Sequence, residues 1–198
     1  FTDVRGDESI TYRVAKVKYS TGDEVIWLAE NLRTTKYPDG TDLSASNYEY
    51  WNAPSDLSAE LQKAYGKYYS IKLVDKIAPK GWKVPTSEEY KLLLNEAILT
   101  GGSVDVLKHK TYWNWSGNAS EDANAWGIGL VPGGFVKWTG ADGKVESYNS
   151  SDNNCYLLAR DLSNKVVLFS DWGMNNEKTL YYPDSWGGAP VRLIYVGE

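Results

Sequence analysis

The sequence predicts an α+β fold with a mainly antiparallel sheet and two helices in the N-terminal half of the chain. Helical patterns are confined to the first half of the 198 residues. After residue 110 the chain consists of short apolar segments separated by Gly, Asn, Asp and Ser. Helices and strands segregated along the chain in this way are typical of α+β folds rather than doubly wound sheets. No stretch has the composition of a linker, so we expect a single domain over residues 1–198.

The first predicted strands form a hairpin. Residues 10–19 alternate apolar and polar side chains well enough for a strand, and residues 24–32 are expected to form a second strand that runs into a turn. The Ser-Thr-Gly-Asp sequence at residues 20–23 has the composition of a tight turn. We therefore expect these two strands to pair.

Two helices are predicted to follow. The shorter one is expected between Asp56, as its N-cap, and Gly66, where it ends. The principal helix is expected over residues 87–99, where Thr86 is a suitable N-cap and Glu89 completes the spacing of a capping box. Its apolar side chains recur at helical spacing and predict one buried face: Tyr90, Leu93, Leu94, Ala97 and Ile98.

The second half is predicted to supply most of the sheet. Four segments are short, apolar and bounded by turn residues, with no helical period. They are AWGIGLVPGGFVKW, CYLLARDL, KVVLFSDW and APVRLIYV.

Composition excludes some partners and favours others. The net charge is -5 and no basic cluster is present beyond Lys-His-Lys at residues 108–110, which argues against a nucleic-acid partner. No apolar run is long enough for a transmembrane segment. The chain has 9 Trp and 15 Tyr against 3 Phe. Trp and Tyr suit half-buried positions and binding surfaces, so this bias favours a recognition module. We expect a monomer.

The residues offer little for catalysis. Cys155 is the one cysteine, which we expect to be a buried apolar side chain, and His109 is the one histidine, expected at the surface or a helix end. Acidic residues are scattered through turns, without a pattern typical of acid–base catalysis. Residues 149–154 are rich in oxygen ligands for calcium, but a polar cluster of this kind between strands is usually a solvated turn. We expect no enzyme activity, no cofactor and no metal site.

Six segments, in order, resemble the motifs of the Fibrobacter succinogenes major paralogous domain family. They are IWLAENLRTTKYPDGT, YGKYYS, APKGWKVPTSEEYKLLL, GGSVDVLKHKTYWN, GIGLVPGGFV and APVRLIYV, and the resemblance covers residues 3–196. It implies a C-type-lectin-like fold and a surface or secreted domain, often a lipoprotein, of Bacteroidetes and Fibrobacteres. We therefore expect an extracytoplasmic location, at the cell surface or secreted, with any signal segment already removed.

The chain also departs from its family in ways that carry predictions. Ala78 and Leu193 stand where relatives commonly have cysteines, and their joint absence implies that the two cysteines form a disulfide in relatives. We expect Ala78 and Leu193 to be apolar neighbours, since a disulfide requires Cα atoms within ~7 Å. The related formylglycine-generating oxidases need two active-site cysteines, and this chain has one.

Two classes of function follow from these expectations. One is recognition of glycan at the bacterial cell surface, and the alternative is a structural or protein-interaction domain of the cell envelope. The partner would be a carbohydrate or a cell-surface protein, respectively. We place the predicted recognition surface in the loop-rich segment 171–188, where flat aromatic faces accompany hydrogen-bonding groups. The predicted ligand-binding residues are Asp171, Trp172, Asn175, Asn176, Tyr181, Tyr182, Asp184 and Trp186.

Overall fold

The fold is known from a computed structural model. It describes residues 1–113, 119–138, 145–148, 154–162, 165–170, 178–179 and 187–197. In these residues lie helices α1 (Ala59–Tyr65) and α2 (Ser87–Gly101), and two 3-10 helices, Ile71–Leu73 and Val104–Leu107. The strands are β1 (Thr2–Arg5), β2 (Glu8–Thr11), β3 (Val14–Lys18), β4 (Glu24–Leu28), β5 (Tyr50–Asn52), β6 (Lys67–Ser70), β7 (Trp82–Lys83), β8 (Phe135–Trp138), β9 (Val145–Tyr148), β10 (Asn154–Leu158), β11 (Lys165–Ser170), β12 (Lys178–Thr179), β13 (Gly187–Ala189) and β14 (Ile194–Tyr195).

Within the described residues the strands form four sheets. Their orders are β1-β2, β10-β11-β12, β5-β6-β13-β8-β9 and β3-β4-β14-β7. Every pair of named strands is antiparallel. Strand β13 lies between β6 and β8 in one sheet, and β14 lies between β4 and β7 in another. The last two strands of the chain therefore both pair with strands from its first half. The α+β class with two helices and antiparallel sheets is therefore confirmed.

The predicted hairpin at residue 20 is confirmed. Strands β3 and β4 pair from Val14 opposite Leu28 to Lys18 opposite Glu24. Gly22 at the turn has φ +95°, a conformation that favours glycine. The first predicted strand is shorter than expected, because residues 12 and 13 lie outside strand structure and separate β2 from β3.

Helix α2 begins as predicted. Thr86 Oγ1 accepts a hydrogen bond from the Glu89 N–H at 3.2 Å, and the Glu89 carboxylate accepts one from the Thr86 N–H at 2.8 Å. Burial raises the pKa of Glu89, but hydrogen bonds from Lys83 and Thr86 outweigh it and lower that pKa overall. A second cap comes from outside the helix, since the Asp161 carboxylate accepts hydrogen bonds from the Ser87 N–H and hydroxyl, both at 2.7 Å.

The buried face of α2 differs from the prediction at its end. Tyr90, Leu93, Leu94 and Ala97 are buried, but Ile98 is 51% exposed. At 3.6 residues per turn Ile98 lies about 80° around the helix from Tyr90, outside the face that meets the sheet. On the opposite flank the buried Glu96 carboxylate accepts hydrogen bonds from the N–H and the hydroxyl of Ser20, at 2.8 and 2.9 Å. This contact fastens the β3–β4 turn to α2.

The expected N-cap of α1 was wrong. Ser58, and not Asp56, caps the helix, because the Ser58 hydroxyl accepts a hydrogen bond from the Leu61 N–H at 3.2 Å. The helix ends at Gly66 as predicted, with φ +72°. A Cβ at Gly66 would lie 2.7 Å from the carbonyl oxygen of Leu32, so glycine lets the end of α1 approach the segment after β4 closely.

The predicted strands of the second half are only partly correct. In AWGIGLVPGGFVKW only the last four residues are a strand, β8, and the residues before it include glycines at positive φ. In APVRLIYV the strand is interrupted between β13 and β14. Glycine and proline favour irregular backbone there, which explains why apolar composition alone overpredicted the strands.

The core lies on both sides of β10 and β11. Cys155 and Leu157 face the cluster that includes the buried side of α2, whereas Tyr156 and Leu158 face a second cluster. Strands buried on both faces have continuous apolar sequences, which is the pattern seen in CYLL. Cys155 is 1% exposed, so the expectation that this thiol is buried is confirmed, and its burial raises the pKa of the thiol to about 12.

Trp27 and Trp82 both have apolar neighbours in the sequence, which predicts that both pack in the core. Trp27 is fully buried, at 1% exposure, which confirms the prediction for this residue. Trp82 is only partly buried and lies between the rings of Phe1 and Tyr195, with centroid distances of 4.6 and 5.4 Å. Ala78 packs against the apolar cluster that contains Leu193. Direct contact between these two side chains stays a prediction.

Candidate functional site

A cleft of about 310 Å³ lies where α1 meets the ends of β3 and β4, and we call it the polar cleft. Its walls come from segments that are distant in sequence. They comprise Arg13, Ala29, Glu30, Glu60, Lys63, Ala64, His109, Tyr112, Gly129, Val131 and Arg192. Glu60, Lys63 and Ala64 stand three and four residues apart on α1, which places them on one helix face. The cleft thus combines five charged side chains with two stacked rings.

The buried end of the polar cleft contains Arg192, which is 1% exposed. Its guanidinium donates one hydrogen bond to Asn31 Oδ1, at 2.6 Å. It donates three more to backbone carbonyl oxygens, those of Leu28 at 3.0 Å, Ile128 at 2.8 Å and Gly129 at 2.7 Å. Burial lowers the pKa of Arg192 to about 10, so it remains a cation at neutral pH. Among the described residues no carboxylate forms an ion pair with it.

Asn31 connects this buried cation to the α1 wall. Its side-chain oxygen accepts from Arg192, and its amide nitrogen donates to the carbonyl oxygen of Tyr65, at 2.9 Å. Asn31 is itself fully buried. Because Tyr65 is the last residue of α1, the end of that helix is tied to the floor of the cleft.

One side of the polar cleft is an aromatic pair. The rings of His109 and Tyr112 stack with a centroid distance of 4.3 Å and an interplanar angle of 25°. The Tyr112 hydroxyl donates to Glu60 Oε1 at 2.9 Å, which joins the pair to α1. His109 Nδ1 accepts a hydrogen bond from the Thr111 N–H at 3.2 Å, so the proton of the neutral ring sits on Nε2. Burial, and then the charges of Arg13 and Arg192, lower the pKa of His109.

An ion cluster around Glu30 forms another part of the lining. Glu30 accepts hydrogen bonds from the N–H and Nε of Arg13, at 3.2 and 3.4 Å, and lies 3.3 Å from Arg33 Nη1. Burial raises the pKa of Glu30, but the Arg13 N–H bond and the charge of Arg33 outweigh it and lower that pKa. Glu30 is therefore an ionised carboxylate held between two guanidinium groups.

A second cavity, the apolar groove, lies at the exposed side of β7 and β14. It has a volume of about 390 Å³ and is lined by Phe1, Val14, Ile26, Lys80, Trp82 and Tyr195. Val14 and Tyr195 are 45% and 40% exposed. This groove offers aromatic faces, and Lys80 is the one charged side chain in its lining.

All eight residues of the predicted recognition surface lie outside the described part of the chain. They are Asp171, Trp172, Asn175, Asn176, Tyr181, Tyr182, Asp184 and Trp186. The sequence did not predict the polar cleft, because its lining residues do not form a local motif. His109 was expected at the surface or a helix end, and it directly follows the C-cap of the 3-10 helix Val104–Leu107, where it is half-buried and lines the cleft. The signal that could have found it is the chain's one imidazole three residues before a tyrosine.

Comparison with known proteins decides the family. The family model described as the Fibrobacter succinogenes major domain matches residues 21–165. The chain belongs to this family. The match to the Fibrobacter succinogenes major domain includes every lining residue of the polar cleft except Arg13 and Arg192. Searches of curated proteins and of solved structures found no match.

Two further observations concern this member of the Fibrobacter succinogenes major domain family. In the described residues no three His, Cys, Asp or Glu side chains are grouped so that they could hold a metal ion. Neither helix in the described residues is long and apolar enough to cross a membrane.

Proposed function

We propose that this chain is a non-enzymatic domain that recognises carbohydrate at the bacterial cell surface, and that the polar cleft is its binding site. The observation that carries the proposal is the cleft's lining, where a partly exposed tyrosine ring occurs together with charged groups that donate and accept hydrogen bonds. A sugar has an apolar C–H face and a rim of hydroxyl groups. Ligand pockets of about 300 Å³ and above with an aromatic wall and a few fixed polar groups suit such molecules.

The arrangement favours binding over catalysis. Both carboxylates of the polar cleft already accept hydrogen bonds, Glu30 from Arg13 and Glu60 from Tyr112. A general acid needs a carboxyl group that is protonated near neutral pH. The pKa of Glu30 is lowered instead, so Glu30 is ionised there. These contacts orient the side chains as fixed hydrogen-bonding groups, as a recognition site requires.

Membership of the family supports the setting that we propose. We infer an extracytoplasmic domain, secreted or held at the cell surface as a lipoprotein, with a fold related to C-type lectins. The α+β layout with antiparallel sheets is compatible with that relation. In such a protein, segment 171–188 remains a second proposed recognition surface, to be tested with Trp172→Ala and Trp186→Ala.

A glycan array followed by titration calorimetry tests the proposal. We expect at least one bacterial or host oligosaccharide to bind, and Tyr112→Ala to weaken that binding at least tenfold with little loss of thermal stability. Tyr195→Ala in the apolar groove is the matched control and should leave binding unchanged. If Tyr195→Ala abolishes binding and Tyr112→Ala does not, the site is the apolar groove.

The alternative function is a protein-interaction domain of the cell envelope. The exposed apolar groove favours it, since exposed aromatic and aliphatic side chains that adjoin one another mark interaction sites. A glycan array with no binding, together with a cell-surface protein whose capture is lost in Tyr195→Ala, would establish this alternative.

A further inference from the structure

The charges that line the polar cleft have the opposite sign from the chain as a whole. The lining contains three cations, Arg13, Lys63 and Arg192, and two carboxylates, Glu30 and Glu60, so its formal charge is +1 with His109 neutral. The chain has a net charge of -5. Because the protein as a whole is acidic, the positive charge of the cleft does not follow from the overall composition. It attracts anions over a Debye length of about 8–10 Å.

The carboxylates of the lining do not neutralise the deepest cation. Glu30 lies within 3.4 Å of Arg13 and 3.3 Å of Arg33, so its charge is shared between two guanidinium groups at the rim. Arg192 is bonded to an amide and to carbonyl oxygens, which are neutral acceptors. The positive charge of Arg192 is therefore left without a counter-ion among the described residues.

Several hydrogen-bond donors that line the polar cleft lack an acceptor in the described part of the chain. A guanidinium has five N–H groups, and Arg192 uses four of them in the bonds described above. The His109 Nε2–H, the Lys63 ammonium and the Nη groups of Arg13 have no hydrogen-bond partner within the described part of the chain. Neutral sugar hydroxyls need donors and acceptors in similar number, whereas a carboxylate only accepts.

We propose that the polar cleft selects acidic saccharides, with the sugar carboxylate placed among Lys63, His109 and Arg192. This inference rests on the proposed function, because it names the class of carbohydrate for the same site. Charge-assisted hydrogen bonds to a carboxylate are about twice as strong as neutral ones, so the carboxylate supplies most of the selectivity. The ring face of the same sugar unit lies against Tyr112.

Calorimetry with paired oligosaccharides tests this selectivity. Each probe is a di- or tetrasaccharide of glucuronate, galacturonate or sialic acid, and its partner is the same compound with the carboxyl group reduced to an alcohol. We expect the acidic member of at least one pair to bind at least tenfold more tightly in 50 mM salt. We expect that advantage to shrink as the salt concentration rises, because exposed charges are screened.

Two lysine variants locate the effect. Lys63→Glu reverses one charge of the polar cleft on the exposed face of α1, and we expect it to weaken binding of the acidic probe at least tenfold. Lys91→Glu makes the same change on α2, outside the lining, and should leave binding within twofold of the wild type. Both side chains are at least partly exposed, so folding is expected to survive, and circular dichroism checks it.

The outcomes separate the two proposals. If neutral and acidic members of every pair bind equally, the cleft binds carbohydrate but the selectivity proposed here is wrong. If a glutamate-rich peptide binds as tightly as the acidic saccharides, the cleft recognises carboxylates without regard to the sugar, which overturns the saccharide assignment. If no oligosaccharide of either kind binds, the proposed function itself fails.

Discussion

Replacement of Arg192 by methionine tests whether a buried cation can be held by neutral oxygens alone. The side chain is 1% exposed and donates four hydrogen bonds, to Asn31 Oδ1 and to three carbonyl oxygens. Methionine keeps most of the length and the apolar stem but removes every donor. The four acceptors would then be buried without these partners.

The magnitude follows from those four acceptors. A buried acceptor left without its donor costs about 1–3 kcal/mol, and part of the total is recovered because the variant no longer buries a charge. We therefore expect Arg192→Met to lower the free energy of unfolding by about 3 kcal/mol. For a chain of this size each kcal/mol lowers Tm by about 2–4 °C, so Tm should fall by roughly 6–12 °C.

Urea denaturation followed by Trp fluorescence gives the free energy of unfolding, and calorimetry gives Tm. The matched control is Arg160→Met, because Arg160 is half exposed and pairs with Asp75 at 2.7 Å. An exposed ion pair is worth about 0–1 kcal/mol, so this control should change little. If the free energies of unfolding of the two variants differ by less than about 1 kcal/mol, the four hydrogen bonds of Arg192 do not stabilise the fold as argued here.

Three further predictions concern contacts described above. Gly66→Ala should lower the free energy of unfolding by about 3 kcal/mol, and Gly22→Ala by about 1 kcal/mol. Both glycines have positive φ, but a Cβ at position 22 meets nothing within 4 Å. Equal free energies of unfolding for the two variants would contradict this. Glu96→Ala should lower the free energy of unfolding by about 2 kcal/mol, because it removes the two hydrogen bonds from Ser20. Glu88 is exposed, so Glu88→Ala should lower it by less than about 0.5 kcal/mol. Urea denaturation measures both, and similar losses would show that the Ser20 contact is unimportant. The lowered pKa of Glu89 means that its contribution is present above its ordinary pKa of 4.5 and is lost as pH falls through the folded value. Glu89→Gln should accordingly flatten the stability profile between about pH 5 and pH 3, and an unchanged profile would assign acid sensitivity to other groups.

Local signals in the sequence predicted local structure well. The Thr86–Glu89 capping box depends on residues three positions apart, so it could be recognised and its geometry is confirmed. The second cap, Asp161 on Ser87, joins residues 74 positions apart and has no local signature. The same limit explains the error at Asp56, where two nearby residues were both suitable caps and only the backbone path selected Ser58.

The candidate site was harder to predict because long-range packing assembles it. Arg192 lies 161 positions from Asn31, and nothing near "APVRLIYV" indicates that its arginine is buried. Sequence reasoning favoured a loop rich in aromatic residues, since such loops are visible as composition. A cleft built from single residues of many segments becomes visible only when the strands that carry them are paired.

The burial of Cys155 makes this protein convenient for site-specific labelling. The chain has one cysteine, and its thiol is 1% exposed with a pKa raised to about 12, so maleimides should not reach it in the folded protein. A cysteine introduced by Ala59→Cys, at an exposed position of α1 next to the lining residue Glu60, would therefore react alone, without prior removal of the native one. An environment-sensitive fluorophore attached there would lie at the edge of the polar cleft and report its occupancy in solution, with Lys63 and Tyr112 still in place.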